Sequence, residues 1–569
     1  MVDASQETAA GLQNQGMQLR QSLRYQEAER CLLRALELEH DFAPAHLELG
    51  STYFDQGRLE DAADSFQLAV HFAPRSLDAW LALGSALSGL GRTDAAIAAY
   101  RKATVVEPHD GAAWLRLGGL FKASDDWNAA IDCYRQAVGG KPASADALCL
   151  LGYALYKSGH YDEARERLAA ALALRPDMVQ AHHNLGLLVL ETGQPGDALA
   201  HFERALAINP GIIETHACVA HALRDLGRFD DAIANYDHVL ALDPDFADAV
   251  INRSYALLMK GDYAAGWDAY ERRFNDGQPA RSFRYPPWKG ESIAGKRVLV
   301  YAEQGLGDEI MFASCIPDLL SIAGDCVIEC NTRIASLFAR SFPKANVHGG
   351  VKSDKTDWLN KVPPIDCQVS IGSLPRYFRP GVSAFSKPAG YLVADRDRVT
   401  YWRKQFERDG DLQIGIAWRG GTLRSRQFVR SIPLQAWAQL LSVTGAQFNS
   451  LQYGEVAVEL EKLQEQSGVS VVQLDTAIHD IDELAAVLGA LDLVITVDNT
   501  VAHLAGALGI PVWTLLPSSP EWRYPRSGET MSWYPSMRLF RCAPGQSWEP
   551  VMAHVASELA LKLRGRNQP

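Results

Sequence analysis

The sequence predicts an all-helical repeat array followed by two doubly wound α/β domains that face a cleft. Small residues recur every 34 residues through the first half of the chain. In the second half short apolar runs alternate with helical stretches, an order that is typical of parallel sheets. A loop-rich segment, residues 372–390, divides those runs into two sets. We therefore predict domains at residues 1–280, 281–395 and 396–569.

The composition is that of a folded, acidic protein. Of its 569 residues, 47% are hydrophobic and 22% are charged, and the formal net charge is −13. This balance permits a buried core and excludes a disordered chain. It also argues against nucleic acid as a partner, since a broad nucleic-acid surface needs a basic face.

The cysteine pattern and the N-terminal residues allow predictions about metal binding, disulfides and cellular location. Nine cysteines are scattered along the chain without a CxxC pair, which disfavours a disulfide framework or a zinc site. The first residues lack the basic and apolar regions of a signal peptide, and no run of about 18 apolar residues occurs that could span a membrane. We expect reduced thiols, no metal, no membrane span and a cytoplasmic location.

Eight repeat units run from about residue 9 to residue 280. The first small residue of each unit sets the register: Gly16, Gly50, Gly84, Gly118, Gly152, Gly186, Ala220 and Ser254. A second small residue follows after twelve residues, a bulky apolar residue comes four later, and a proline ends most units. Small residues allow two antiparallel helices to approach closely, the bulky residue fills the gap, and proline ends the second helix.

This pattern resembles the tetratricopeptide repeat (TPR), whose units stack into an all-α superhelix with a concave groove. The resemblance implies that the groove binds a protein or a peptide. The alternative is a scaffold or a dimerisation arm, with homo-oligomers formed through the repeats.

The second half of the chain changes its periodicity after a linker rich in Pro, Gly and charge, residues 275–295. The predicted strands are 297–302, 326–330, 367–371, 412–417, 448–452, 469–473, 492–497 and 512–516. The predicted helices are 308–323, 332–340, 395–407, 434–443, 456–468, 482–489, 500–509 and 548–563. Ligands of open α/β sheets bind outside the carboxyl ends of the strands, so the strand-to-helix junctions are the candidate sites.

The first such junction reads AEQGLGDEIMF, residues 302–312. Gly305 and Gly307 permit close backbone approach to a ligand, and with Gln304 they are predicted to line the cleft. Ile310 replaces the third glycine of GxGxxG, which argues against a dinucleotide site. Asp308 either stabilises the start of a helix or acts as a general base at the mouth of the cleft.

The second junction reads VDNTVAHLAGALGIP, residues 497–511. Asp498, Asn499 and Thr500 supply capping side chains, and the backbone N–H groups of residues 500–502 are predicted to bind an anion such as phosphate. Asp498 is expected to accept hydrogen bonds from sugar hydroxyls or to cap the helix. His503 either contacts the same anion or packs in the core.

A run of arginines supports an anion site. Four lie between residues 416 and 433: Arg419, Arg424, Arg426 and Arg430. Arginine binds phosphate through two parallel hydrogen bonds, and the alternative is a solvated surface. Trp522 and Arg523 follow the next strand and are predicted to line the same cleft.

Segments spread over the second half carry a family resemblance. They are residues 303–319, 372–375, 430–434, 497–513, 521–525 and 533–542. This part of the chain resembles the GT-B glycosyltransferases of the lipopolysaccharide heptosyltransferase type, in the subgroup fused to TPR arrays. Some of these fusions are similar to bacterial flagellin and protein O-glycosyltransferases. A GT-B fold has two Rossmann-like domains, here residues 281–395 on the acceptor side and 396–569 on the nucleotide-sugar side.

The resemblance also implies roles for matched residues. Asp308 would deprotonate the acceptor hydroxyl, Arg430 would meet the donor phosphate, and the run from Asp498 to His503 would hold the sugar and the diphosphate. Arg430 stands where the family has lysine, and Val501 stands where a glycine is expected, so the identity of the donor stays open. The predicted donor-binding set is Arg419, Arg426, Arg430, Asp498, Asn499, Thr500 and His503.

These observations predict a metal-independent, inverting glycosyltransferase that needs no cofactor besides its nucleotide-sugar substrate. The TPR groove would bring a protein acceptor, with flagellin a candidate, so that the acceptor is a Ser or Thr hydroxyl. Two alternatives stay open: a TPR adaptor with a degenerate, non-catalytic GT-B module, and a glycosyltransferase that acts on lipid or polysaccharide.

Overall fold

The structure is a computed structural model that describes residues 8–140, 144–275, 281, 283–350, 356–385, 390–406, 411–421, 426–474 and 477–566. The chain divides into two compact units, Met1–Leu188 and Val189–Pro569. The first unit is helical, and the second contains the last repeats and two parallel sheets. This division differs from the predicted boundary at residue 280, because the last repeats share a core with the sheets.

Sixteen helices of the described residues form the eight predicted repeat units. They are α1 (Ala9–Gln21), α2 (Tyr25–Leu38), α3 (Ala43–Asp55), α4 (Leu59–Phe72), α5 (Leu77–Gly89), α6 (Thr93–Val106), α7 (Gly111–Ala123), α8 (Trp127–Val138), α9 (Ala145–Lys157), α10 (Tyr161–Leu174), α11 (Val179–Glu191), α12 (Pro195–Ile208), α13 (Ile213–Asp225), α14 (Phe229–Leu242), α15 (Ala247–Lys260) and α16 (Tyr263–Tyr270). Each unit consists of two helices joined by a short turn, as the 34-residue register predicts.

The helices of a pair approach at the glycine of the register. A Cβ atom at Gly84 would lie 2.5 Å from the ring of Tyr100, and one at Gly50 would lie 2.6 Å from the ring of Phe66. Both rings are buried. The predicted reason for the glycine-to-aromatic spacing is therefore confirmed: no larger residue fits opposite the aromatic side chain.

The turn inside each pair requires a left-handed backbone. Gly57, Gly91, Gly159 and their equivalents adopt a positive φ there, at which glycine carries no steric penalty. Leu23 and Asp125 occupy the same turn position with φ of 59° and 58°. Two repeat units thus hold this conformation without a glycine.

The second unit contains two sheets in which all paired strands are parallel. The strands are β1 (Arg297–Tyr301), β2 (Asp325–Cys330), β3 (Ala345–Gly349), β4 (Cys367–Ser370), β5 (Leu412–Ala417), β6 (Ala446–Ser450), β7 (Val472–Gln473), β8 (Leu493–Val497), β9 (Val512–Leu516) and β10 (Met537–Arg541). The first sheet has the order β3-β2-β1-β4, and the second has the order β10-β9-β8-β5-β6-β7. Both orders reverse once, between β1 and β4 and between β5 and β8, as in doubly wound sheets.

The helices between and after the strands vary in length, from four residues in α22 to 18 in α27. They are α17 (Leu306–Phe312), α18 (Ile316–Ile322), α19 (Ala335–Ser341), α20 (Leu374–Phe378), α21 (Arg396–Phe406), α22 (Gln427–Arg430), α23 (Ala438–Leu441), α24 (Ala457–Ser467), α25 (Ile481–Ala490), α26 (Thr500–Ala507) and α27 (Glu549–Arg566). The prediction of one continuous helix at 308–323 is wrong. The α-helical hydrogen bonding is interrupted between α17 and α18, because Pro317 lacks an N–H donor. No helix in the described part of the chain is long and apolar enough to cross a membrane.

Two strands escaped prediction, and one was placed two residues late. β3 reads ANVHG and β10 reads MRLFR, so polar residues interrupt the apolar run that marks the other strands. Both lie at sheet edges, where one side of the strand needs no partner. The strand predicted at 448–452 is β6, Ala446–Ser450.

Aromatic residues of the last repeat lie in the same core as the sheets. Trp267 of α16 is buried against Phe312, Trp522 and Trp533, and its indole N–H donates to the carbonyl of Arg379 at 2.9 Å. The ring of Tyr255 in α15 stacks on Trp522 at 5.1 Å. The eighth repeat is thus packed into the α/β part of the molecule.

Candidate functional site

A cavity of about 770 Å³ lies at the carboxyl ends of strands from both sheets. Its lining includes Gly305 and Asp308 after β1, Arg419 after β5, and Asn499 after β8. β1 and the β5–β8 pair are the places where the strand order reverses, and such points are where α/β sheets bind ligands.

Most of the predicted site residues meet in this cavity. Those that line it are Gly305, Gly307, Asp308, Arg419, Arg430, Asn499, Thr500, His503 and Arg523. Gln304, Arg426, Asp498 and Trp522 are described but lie outside the lining. Arg424 lies outside the residues that the structure describes.

Asp308 lies in the first turn of α17 and reaches across to the second sheet. Its Oδ1 accepts from Nε of Arg523 at 2.7 Å and from Nη2 at 2.5 Å. Burial alone would lower the pKa of Arg523, but the charges of Asp308 and Glu521 raise that pKa above its ordinary value. The carboxylate at the mouth of the cleft is therefore held in place by a buried guanidinium group.

Gly307 lies against a protein side chain, that of His503, in addition to lining the cavity. A Cβ atom at Gly307 would lie 3.2 Å from Cδ2 of His503, and so the glycine allows α17 and α26 to approach. The sequence predicted close approach to a ligand. The structure adds a packing reason for a small residue at this position, which also lines the cavity.

The β8–α26 junction is capped by its own asparagine. Oδ1 of Asn499 accepts from the backbone N–H groups of Val501 and Ala502 at 3.0 and 3.2 Å. The prediction that the N–H groups of residues 500–502 are all open to an anion is thus wrong for two of them. The Asn499 side chain also donates to the carbonyl of Arg419 at 3.2 Å, which ties together the ends of β8 and β5.

Asp498 lies beneath the cavity rather than in it. It is 1% exposed, and its Oδ2 lies 3.1 Å from Nε of Arg430. Arg430 also donates through Nη2 to the carbonyl of Asp498 at 3.0 Å. The predicted contact of Asp498 with sugar hydroxyls does not fit this burial, and its place is that of a partner that orients Arg430.

His503 is buried and uncharged. Its Nδ1 lies 3.0 Å from the hydroxyl of Tyr534, and the residue is 4% exposed. Burial, together with the nearby charge of Arg523, lowers its pKa to about 3. A neutral imidazole brings no positive charge to a phosphate, so packing against Gly307 is the larger part of its role.

The arginines divide between the cavity and the repeats. Arg419 lines the cavity and pairs with Glu459 at 3.1 Å, whereas Arg430 pairs with Asp498. Arg426 was predicted to bind the donor, but it points toward the seventh repeat and pairs with Asp225 at 2.9 Å. The reason is that a buried carboxylate of the repeat requires a positive partner.

Gln304 and Trp522 also belong to the contact with the repeats. The amide of Gln304 donates to the hydroxyl of Tyr270, and Trp522 is buried against Tyr255 and Trp267. The prediction that these two residues line the cleft is therefore wrong. Each is the chain neighbour of a residue that does line the cavity, Gly305 or Arg523.

Several lining residues were not predicted from the sequence. Arg333 follows β2, Gln427 lies in α22, and Tyr453 follows β6 and is 63% exposed. An apolar part of the wall is formed by Leu451, Ile478, Ile481 and Leu484. The signal for Arg333 was available, because a predicted helix starts directly after the predicted strand at 326–330.

Among the residues that the structure describes, no group of three His, Cys, Asp or Glu side chains could hold a metal ion. The charged groups beside the cavity instead form a chain of ion pairs. Arg430 lies 3.6 Å from Glu521, and Arg523 lies 3.8 Å from the other oxygen of Glu521. With Asp498 at one end and Asp308 at the other, five charges of alternating sign connect the two sheets.

Two family models match the repeats. One is described as the cilia and flagella-associated protein 70 C-terminal domain and matches residues 3–212, and the other is described as the tetratricopeptide repeat and matches residues 220–279. These matches confirm that the N-terminal part of the chain consists of tetratricopeptide repeats.

A curated relative matches part of the chain. Protein FlbA of Caulobacter vibrioides is 34% identical over 333 residues, which are 55% of this chain and 55% of that protein. The chain thus spans about half the length of this relative.

Solved structures are similar to part of this chain. The APC/C hetero-tetramer Cut9–Hcn1 is 23% identical over 39% of this chain and 44% of that chain, with a TM-score of 0.32. Pseudomonas aeruginosa PilF is 25% identical over 35% of this chain and 88% of that chain, with a TM-score of 0.31.

Proposed function

We propose that this chain is a protein O-glycosyltransferase with a GT-B fold. It moves a sugar from a nucleotide-sugar donor to a Ser or Thr hydroxyl, with inversion and without a metal ion. One observation carries the proposal: a cavity of about 770 Å³ brings Asp308 of the first sheet opposite the arginines of the second. Its volume lies in the range of 300–1,000 Å³ that is usual for small-molecule sites.

The wall of the second sheet suits a nucleotide. Leu451, Ile478 and the exposed ring of Tyr453 offer an apolar surface for a base. Arg419 follows β5 and Arg430 ends α22, and both line the cavity. These two arginines would bind the two phosphates of the donor. As the bond from the anomeric carbon to the phosphate oxygen breaks, these guanidinium groups stabilise the charge on the leaving diphosphate.

The wall of the first sheet suits an acceptor. Both contacts from Arg523 fall on Oδ1 of Asp308, so Oδ2 is the oxygen that would receive a proton. The acceptor oxygen attacks the anomeric carbon, its proton passes to Asp308, and the nucleotide leaves with the bonding electrons. Gly305, which also lines the cavity, leaves room for the acceptor chain.

The repeats would recruit the acceptor protein. Tetratricopeptide arrays bind peptides and proteins, and flagellin is the acceptor that the family resemblance implies. The seventh and eighth repeats contact the loops that surround the cavity, through Asp225, Tyr255 and Tyr270.

Intact-mass spectrometry tests this function. Flagellin is co-expressed with the full chain, with Asp308→Asn, and with Asp325→Asn as a matched control. Asp325 also pairs with an arginine of the first sheet, Arg297, at 2.7 Å, but at the opposite end of the strands. The wild type and the control should add the mass of one or more sugars, and Asp308→Asn should slow the addition by about 100-fold or more.

The controls separate the possible failures. Asp308→Asn should still bind the donor nucleotide, since Asp308 is placed on the acceptor side. Full transfer by this variant would exclude Asp308 as the base. Equal loss in Asp325→Asn would show that the effect is one of folding.

A TPR adaptor with a non-catalytic α/β module is the second candidate. The observation that favours it is that the two arginines proposed to bind the donor phosphates already have carboxylate partners: Glu459 for Arg419, and Asp498 for Arg430. Differential scanning fluorimetry with UDP-, GDP-, ADP- and CMP-sugars distinguishes the two. A raised melting temperature with one of them supports the transferase, and no shift with any, joined to an unchanged flagellin mass, supports the adaptor.

A further inference from the structure

We propose that Asp225, a residue of the seventh tetratricopeptide repeat, is a positioning residue for the donor site. It would act through Arg426, which precedes the short helix that brings Gln427 and Arg430 into the cavity. This inference rests on the proposed function, because it assigns part of the donor site to the repeats.

Asp225 is a buried carboxylate between two guanidinium groups. It is 4% exposed; its Oδ2 lies 2.9 Å from Nη1 of Arg426, and its Oδ1 lies 2.9 Å from Nη2 of Arg224. Burial alone would raise the pKa of Asp225, but Arg426 and Arg224 outweigh it, so that the pKa lies below its ordinary value. The group is therefore charged at neutral pH and binds Arg426 as an ion.

The same residue also binds the loop after β9. The carbonyl of Asp225 accepts from Nη2 of Arg526 at 2.6 Å, and Nη1 of Arg526 donates to the carbonyl of Ser518 at 2.8 Å. Arg426 donates to the hydroxyl of Ser519 at 3.1 Å. The end of α13 thus contacts Arg426, the residue directly before α22, and the loop that leads to Arg523.

Arg426 holds a backbone conformation that its residue type disfavours. Its φ is 56° and its ψ is 42°, which is left-handed, and α22 begins at the next residue. This conformation is unfavourable for a residue with a Cβ atom, because the Cβ atom comes too close to the following carbonyl oxygen. Strain of this kind persists where the surroundings impose it, and here the surroundings are Asp225 and Ser519.

The short helix α22 connects Arg426 to the cavity. α22 is Gln427–Arg430, and both of its end residues line the cavity. If Arg426 loses its anchor, the left-handed turn relaxes and α22 is no longer held in place. Arg430 would then lose its alignment with the donor phosphate.

The test measures donor binding rather than stability alone. Isothermal titration of the full chain with UDP, GDP, ADP and CMP first identifies the nucleotide that binds the wild type. The Kd of that nucleotide is then measured for Asp225→Asn, Arg426→Gln and the double variant. Asp237→Asn is the control, because Asp237 lies in the same repeat as Asp225 and pairs with Arg253 of the eighth repeat at 2.6 Å. Neither Asp237 nor Arg253 lines the cavity.

We expect each single variant to raise the Kd at least tenfold, and the double variant to raise it no further than the larger single effect. Such non-additivity marks two residues that act as one unit. Asp225→Glu, which keeps the charge, should recover part of the loss. Binding of flagellin to the array should not change in any of them.

Two outcomes overturn the inference alone. One is a Kd within twofold of the wild type in folded Asp225→Asn and Arg426→Gln; the other is an equal rise in Asp237→Asn. If Asp225→Asn fails to fold, Arg426→Gln decides, since Asp225 then retains Arg224. If no nucleotide binds the wild type, the proposed function itself is refuted, and this inference with it.

Discussion

Gly307→Ala should destabilise the α/β part of the protein, although alanine is the better helix former. Gly307 lies in the first turn of α17, where alanine would gain up to about 1 kcal/mol by helix propensity. Its Cβ would lie only 3.2 Å from Cδ2 of His503. That side chain is buried and held by Tyr534, so it cannot move aside at low cost.

The magnitude follows from comparing the two effects. Overpacking of a filled core costs about 1–3 kcal/mol, which offsets or exceeds the gain in propensity. Gly119→Ala is the matched variant, because Gly119 lies inside α7 and a Cβ atom there meets nothing within 4 Å. It should stabilise its helix by about 0.5–1 kcal/mol, so the two substitutions should differ by about 1–3 kcal/mol.

Hydrogen exchange read by mass spectrometry is the suitable assay. A chain with two compact units does not unfold in one two-state step, whereas exchange reports on each helix separately. Exchange should quicken in α17 and α26 of Gly307→Ala and slow in α7 of Gly119→Ala. In a His503→Ala background Gly307→Ala should no longer destabilise. Slower exchange at α17 in the single variant would refute the steric reasoning.

Three further predictions concern other parts of the molecule. His503 has a pKa of about 3 when folded and about 6.5 when unfolded, so the unfolded chain binds more protons between these values and stability falls as the pH drops below about 6.5. Between pH 7.5 and 5.5 the wild type should lose about 1 kcal/mol more stability than His503→Gln, so its melting temperature should fall further. Equal falls in the two proteins would contradict the assignment. Leu23→Gly should stabilise the protein by about 0.5–1 kcal/mol and so raise its melting temperature, because exposed Leu23 holds a φ of 59° and gains nothing from burial. An unchanged or lower melting temperature would argue against backbone strain at this turn. Tyr453→Ala should raise the Kd of the bound nucleotide by about 3- to 10-fold through loss of stacking, while Tyr453→Phe should leave the Kd unchanged. Titration calorimetry measures both; if Tyr453→Ala binds as tightly as the wild type, the ring is not a base contact.

The sequence predicted the parts of the fold that rest on local periodicity. The 34-residue register placed every repeat, because each glycine of the register needs only the bulky apolar residue sixteen positions later in its own unit. Buried strands such as β5 and β9 were placed to the residue, since both of their faces are covered and they read as unbroken apolar runs. β3 lacks that run and was missed.

The sequence predicted those residues of the candidate site whose position depends only on where the strands end. Asp308, Arg419 and Asn499 lie in the strand-to-helix segments that follow β1, β5 and β8, and the topology alone brings such segments together. The partners of Asp498 and Arg426 could not be read in the same way, because they lie 68 and 201 residues away in the chain (498 − 430 and 426 − 225). Burial decides whether a charged side chain faces a ligand or another side chain, and it depends on packing between distant segments.

The core that Trp267 and Tyr255 share with Trp522 has a consequence for how this molecule could be divided or recombined. A cut at residue 280, where the repeat pattern ends, would remove both side chains and leave Trp522, Phe312 and Trp533 uncovered. Only the repeats that precede residue 189 belong to a separate compact unit. The array could therefore be lengthened, shortened or exchanged within its first five repeats. The sixth repeat, which spans the boundary, and the seventh and eighth repeats must be inherited together with the α/β part.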